Sequence, residues 1–175
     1  VVLFGGRSAE HDVSCVSARH VLGAADLERY EIIPIGIDRE GNWSLSTSAV
    51  RSLEDGVLPE ALDPSGSNWD PLPELKKLNQ SGSVVVFPLL HGPLGEDGTV
   101  QGLLEVADVP YVGSGVLSSS LAMDKLVAKD ILNHHGIRHG VGHHGLLLGL
   151  SLGAFLRIDL LLEGPGGGHA HHRYD

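Results

Sequence analysis

The 175 residues, 42% of them hydrophobic, suffice to bury one core and part of a second. A formal net charge of -10 disfavours nonspecific association with nucleic acid or an anionic membrane, yet leaves room for a nucleotide held by a few local cations and backbone N–H groups. A single cysteine, Cys15, excludes an internal disulfide and fits a reducing, cytoplasmic setting. The first predicted element is a strand over Val1–Phe4, stopped by Gly5-Gly6. A helix follows, opening near Ser8 or Asp12 and running to about Glu28, with Val13, Val16, Val21, Leu22 and Ala25 as its apolar stripe. Glu31–Ile37 reads as a second buried strand, and a turn at 38–42 leads to a short edge strand at Trp43–Leu45. From about 46 to 82 the composition predicts loop, with a short helix at Pro73–Leu78.

Val84–Leu90 is the plainest strand pattern in the chain and runs straight into His91-Gly92. A loop over 93–98 leads to a helix at Thr99–Val106, then a short strand at Tyr111-Val112 and a helix over Leu117–Asn133. Alternating strands and helices predict an α/β fold, a mostly parallel open sheet with helices on both faces. Ligands collect at the carboxyl ends of such strands. Gly5-Gly6, His91-Gly92 and Gly113-Ser114-Gly115 all fall there.

Three segments carry candidate chemistry. In Phe4-Gly5-Gly6-Arg7-Ser8-Ala9-Glu10-His11-Asp12-Val13-Ser14, paired glycines let the backbone turn tightly and approach a ligand; a plain strand–helix turn needs them as well. Glu10, in the first turn of a helix, suits a ligand ammonium or is simply a surface carboxylate favoured by the helix dipole. The second segment runs from His91 to Glu105. His91 leaves a buried strand where it can hydrogen-bond a substrate carboxylate or carbonyl, or else brace the loop backbone. The adjacent Glu96 and Asp97 read as caps ahead of a helix rather than as metal ligands. In the third, Pro110–Lys125, a Gly-Ser-Gly turn opens a helix on which Lys125 is either a partner for nucleotide phosphate or a solvated lysine, while Leu121 and Met123 read as core.

In this order and spacing the three segments resemble the signature segments of the D-alanine–D-alanine ligases, in the ATP-grasp superfamily, over about residues 1–130. The D-alanine–D-lactate and D-alanine–D-serine ligases share much of the pattern. The resemblance implies a pre-ATP-grasp, Rossmann-like domain over 1–115, the start of a central ATP-grasp domain over 116–135, and a tail from 136 to 175. It also implies a reaction, in which ATP with magnesium (or manganese) phosphorylates one D-alanine and the amine of a second displaces the phosphate, feeding peptidoglycan synthesis. By motif position Glu10 would hold the ammonium of the first D-alanine, His91 would lie beside that substrate and Lys125 would contact ATP phosphate. Ser14 and Gly98 would shape the loops. The partners so implied are D-alanine and ATP, with no nucleic acid or membrane, and a homodimeric parent.

Beyond about Gly136 the family pattern stops. Residues 1–130 hold 19 acidic and 9 basic side chains, whereas the last 45 hold 3 of each, no lysine, ten glycines and eight of the eleven histidines. The expectation is an aberrant, disordered tail, with a shifted reading frame as its simplest cause and a fragment inactive by itself. Arg157-Ile158-Asp159 faintly echoes a late Arg-x-Asp strand of the family. His135, His139 and His143 are spaced for one helical face, so a noncatalytic reading stays beside the enzymatic one: a ligand-binding relic or a histidine-rich metal-binding module. The apolar run at 146–162 carries Arg157 and Asp159 and is a poor membrane span, no charged-then-apolar leader is evident, and the start on Val1 suggests loss at the front.

Overall fold

A computed structural model describes residues 1–138. Eleven elements follow one another: β1 (Val2–Gly5), α1 (His11–Ala24), β2 (Pro34–Ile37), β3 (Trp43–Ser46), α2 (Thr47–Asp55), β4 (Gly66–Asn68), α3 (Pro71–Ser81), β5 (Phe87–Pro88), α4 (Thr99–Ala107), α5 (Val116–Met123) and α6 (Lys125–His134). The sheet order is β4-β3-β2-β1-β5. Its centre is parallel, β1 pairing with β2 and with β5, and a further parallel bridge joins Val86 to Tyr111. β3 and β4 are added antiparallel on one side. The fold is thus α/β with a parallel-dominated sheet covered by helices.

β1, paired on both sides by β2 and β5, has every one of its residues buried. Strand residues alternate between faces, and the two faces have separate cores. Leu3 joins Ile35, Ile37, Leu75, Val86, Val100 and Leu104 under α3 and α4. Val2 and Phe4 join Cys15, Ala18, Leu22, Ala49 and Leu62 under α1 and α2. A side chain as large as Leu3 or Phe4, both fully buried, contributes about 1.5–3 kcal/mol by leaving water.

Several elements differ from expectation for identifiable reasons. α1 buries His11, Ser14, Cys15, Ala18 and Leu22, at spacings of three, one, three and four, instead of the valine stripe. Val13 and Val16 remain 54% and 39% exposed. The region expected as loop contains α2 and β4, so β3 is flanked on both sides and is no edge. The strand pattern at 84–90 narrows to β5. Val86, Phe87 and Leu89 all donate backbone hydrogen bonds across the sheet, Val86 to Pro110 and the other two to the β1 side. Pro88, one rung on from Val86, has no N–H to continue pairing toward Tyr111. Finally, the single helix expected over 117–133 breaks at Asp124, whose carboxylate accepts the N–H groups of Leu126 and Val127 and so starts α6 afresh. Leu121 and Met123 are half-buried, and Ser119 is the buried residue of α5.

Candidate functional site

The carboxyl ends of β1 and β5 are held together by one hydroxyl. Ser14 Oγ, fully buried on α1, accepts the Gly5 N–H at 2.8 Å and donates to the Leu89 carbonyl at 2.6 Å. Gly5, at φ +87°, lies so close to the Ile37 carbonyl that a Cβ would collide with it, which explains a glycine at this turn. His11 is buried, its Nδ1 2.7 Å from the Gly6 carbonyl. These contacts fix where the first turn of α1 begins, and with it Glu10.

Glu10 and His91 are brought together. A Cβ on Gly92, whose φ is +71°, would meet Glu10 Oε2 at 3.1 Å, so the carboxylate lies against the backbone one residue beyond His91. Glu10 is the N-cap of α1 yet makes no side-chain cap bond, and its carboxylate has no hydrogen-bonding or ionic partner among the described residues. His91 Nε2 lies 3.3 Å from Ser17 Oγ. Glu10 at the N-cap of α1 and Ser14 and Ser17 within it follow the i, i+4, i+7 spacing and meet Gly92, Leu89 and His91 respectively. His91 also lines a cleft of about 300 Å³ with Arg7, Ile37, Glu40, Trp43 and Leu90, walled by Leu94, Thr99 and Leu103.

The loop after His91 is shaped by its acidic pair. Glu96 Oε2 accepts the Gly92 N–H at 2.7 Å. Asp97 accepts the N–H groups of Leu94 at 2.8 Å and Thr99 at 3.0 Å. Partial burial opposes ionisation of Asp97, but the hydrogen bonds from Leu94 and Thr99 outweigh it and hold the carboxyl below its ordinary range. Asp97 takes up the expected capping role, accepting the N–H of Thr99, the first residue of α4, whereas Glu96 does not reach that helix and braces the loop at Gly92 instead. Among the described residues no group of three or more His, Cys, Asp or Glu side chains is arranged to hold a metal ion. With Glu96 and Asp97 engaged by backbone N–H groups, these residues do not fit a magnesium site.

Lys125 is not part of this cluster. It is exposed, at the first turn of α6, and does not line the cleft. α6 packs on α5, and α5 on α4. Ser120 Oγ, which donates to the Asp97 carbonyl at 2.8 Å, ties α5 back to the His91 loop. His139, His143, the histidines beyond them and Arg157-Ile158-Asp159 lie outside the described residues. Sequence reasoning missed Ser17, Arg7 and Glu40. The helical spacing from Glu10 through Ser14 to Ser17 was the available signal for the first.

A parallel-centred α/β sheet with a carboxylate and an imidazole near its strand ends places the chain in the open-sheet α/β class. Residues 1–114 match the family model described as the D-ala D-ala ligase N-terminus, and the chain belongs to that family. It is 46% identical over 144 residues to the D-alanine–D-alanine ligase of Natranaerobius thermophilus, covering 78% of this chain and 39% of that protein. Among solved structures it is similar to the VanG D-Ala:D-Ser ligase of Enterococcus faecalis, with 34% identity, a TM-score of 0.57 and coverage of 79% and 42% of the two chains. The D-alanine–D-alanine ligase of Coxiella burnetii gives 32%, 0.55, 77% and 41%. The chain therefore spans about two fifths of the length of the relatives it matches. No helix among the described residues is long and apolar enough to cross a membrane.

Proposed function

We propose that this chain supplies the first substrate-binding wall of a cytoplasmic, ATP-dependent ligase that joins two D-alanines for peptidoglycan synthesis. The observation that carries the reading is the approach of the unpartnered Glu10 carboxylate to Gly92, beside His91, at the converging ends of β1 and β5. A D-alanine is a small zwitterion. Its ammonium suits Glu10, and its carboxylate suits an imidazole N–H at His91, so the pair can set its orientation. Oriented in this way, the carboxylate takes the γ-phosphoryl group of ATP to give an acyl phosphate and ADP. The amine of the second D-alanine then adds to the acyl carbon, and inorganic phosphate leaves. Positioning of this kind supplies much of the rate in such a transfer.

Lys125 is assigned to nucleotide phosphate in the same proposal. Because the Asp124 carboxylate already takes the Leu126 and Val127 N–H groups, phosphate there would meet the lysine ammonium rather than those two amides. The division into 1–115, 116–135 and 136–175 belongs to the reading as well, with a homodimeric parent.

The test is phosphate release with ATP, magnesium and D-alanine. The 175-residue chain should release none, whereas a protein of the relatives' full length carrying these residues should do so only when D-alanine is present. D-alanine should also shift the amide resonances of His91 and Gly92 in the 175-residue chain. D-alanine-independent hydrolysis by the longer protein, or unmoved resonances, would count against the reading.

A further inference from the structure

Ser17 lies two helical turns beyond Glu10 on the same face of α1, half-buried. Its hydroxyl has one hydrogen-bonding partner among the described residues, Nε2 of His91 at 3.3 Å. A serine inside a helix commonly returns its proton to the carbonyl four residues back; Ser17 makes no such bond, and either it or the ring nitrogen can be the donor of the contact between them. An Nε2 that accepts a proton bears a lone pair, so the neutral ring must carry its hydrogen on Nδ1. Nδ1 of His91 has no partner among the described residues.

We propose that Ser17 is a positioning residue for His91. By donating to Nε2 it fixes the neutral imidazole as the Nδ1–H tautomer and leaves that N–H as the donor for a ligand oxygen. The inference rests on the reading of His91 as a substrate contact and adds a requirement to it. A carboxylate needs a donor, and a neutral histidine in the other tautomer would present it with a lone pair. Ser14 places the strand ends, while Ser17 decides which ring nitrogen faces the substrate. The two serines, three residues apart, therefore have different tasks.

The tautomer can be read directly. The 175-residue chain, labelled with ¹⁵N in its histidines, is examined by long-range proton–nitrogen correlation at mildly alkaline pH, with His91→Gln to assign the signal. The expected spectrum has a protonated Nδ1 and an unprotonated Nε2 at His91. Ser17→Ala should lose that pattern and give mixed tautomers, and Ser17→Thr, which keeps the hydroxyl, should restore it. The three spectra must share the same dispersion of backbone amides, a control that a merely structural role for Ser17 would fail. A protonated Nε2 in the unmodified chain, or a His91 pattern unchanged in Ser17→Ala, overturns the proposal. Added D-alanine separates the two levels: a fixed Nδ1–H tautomer that D-alanine leaves unmoved upholds Ser17 as the ring's orienting partner while overturning His91 as a substrate contact.

Discussion

Ser14 Oγ and the carbonyl oxygen of Leu89 lie 2.6 Å apart across 75 residues of sequence. The same hydroxyl accepts the Gly5 N–H, so one buried group closes the gap between the ends of two parallel strands. Removing it leaves a donor and an acceptor unsatisfied at a fully buried position. Ser14→Ala should therefore destabilise the fold by about 1–3 kcal/mol, measured as a lower urea midpoint at unchanged slope.

Glu10 behaves oppositely. It is exposed and makes no cap bond, so Glu10→Gln should shift stability by no more than about 0.5 kcal/mol. The variant should nonetheless lose about 10–100-fold in D-alanine affinity, the worth of one charged hydrogen bond at roughly 1.5–3 kcal/mol. Titration by calorimetry or NMR checks the affinity, and a melting curve checks the fold. Parallel loss of both would place Glu10 among the structural residues.

How much of this was legible in the sequence depends on where each element draws its stability. β1 was plain because its residues are buried on both faces, which leaves a continuous apolar run. α2 carries only a short apolar pattern, Ala49 with Leu53 four residues on, set among Ser, Asp and Glu, and β4 carries none because Gly66–Asn68 is wholly exposed. The break at Asp124 depends on a side chain competing with the helix for backbone N–H groups, a local choice that hydrophobic spacing does not record. Of the candidate site, Glu10 and His91 could be named as types at strand ends. That α1 carries Glu10, Ser14 and Ser17 toward the same four-residue segment could not, since the partners are over 70 residues away.

Asp97 predicts a pH dependence. Its folded carboxyl lies below the ordinary value of 3.8 because the Leu94 and Thr99 hydrogen bonds overcome the effect of burial. A depressed carboxyl stabilises the fold fully above its unfolded pKa and loses that contribution as pH falls through the folded one. The stability gap between the unmodified chain and Asp97→Asn should thus be constant at neutral pH and narrow below about pH 4. Urea midpoints across an acid series measure it, and a gap that widens on acidification would reverse the sign.

Cys15 is predicted to be inert in the folded chain. Burial, with help from the Asp12 charge, pushes its thiol up to about 11, so little thiolate exists near neutrality. A thiol-specific reagent at neutral pH should label it only as fast as the chain opens, and denaturant should accelerate labelling in step with unfolding. Rapid labelling without denaturant would show that α1 separates from the sheet on its own.

β1 places Leu3 in one core and Val2 with Phe4 in the other. Sliding that strand by one position would turn each side chain into the wrong core, so the two halves have no independent way to come apart. Opening the α3–α4 side should cost the α1–α2 side its footing. Calorimetry of the described portion should accordingly record one cooperative transition, with the two faces melting at a single temperature.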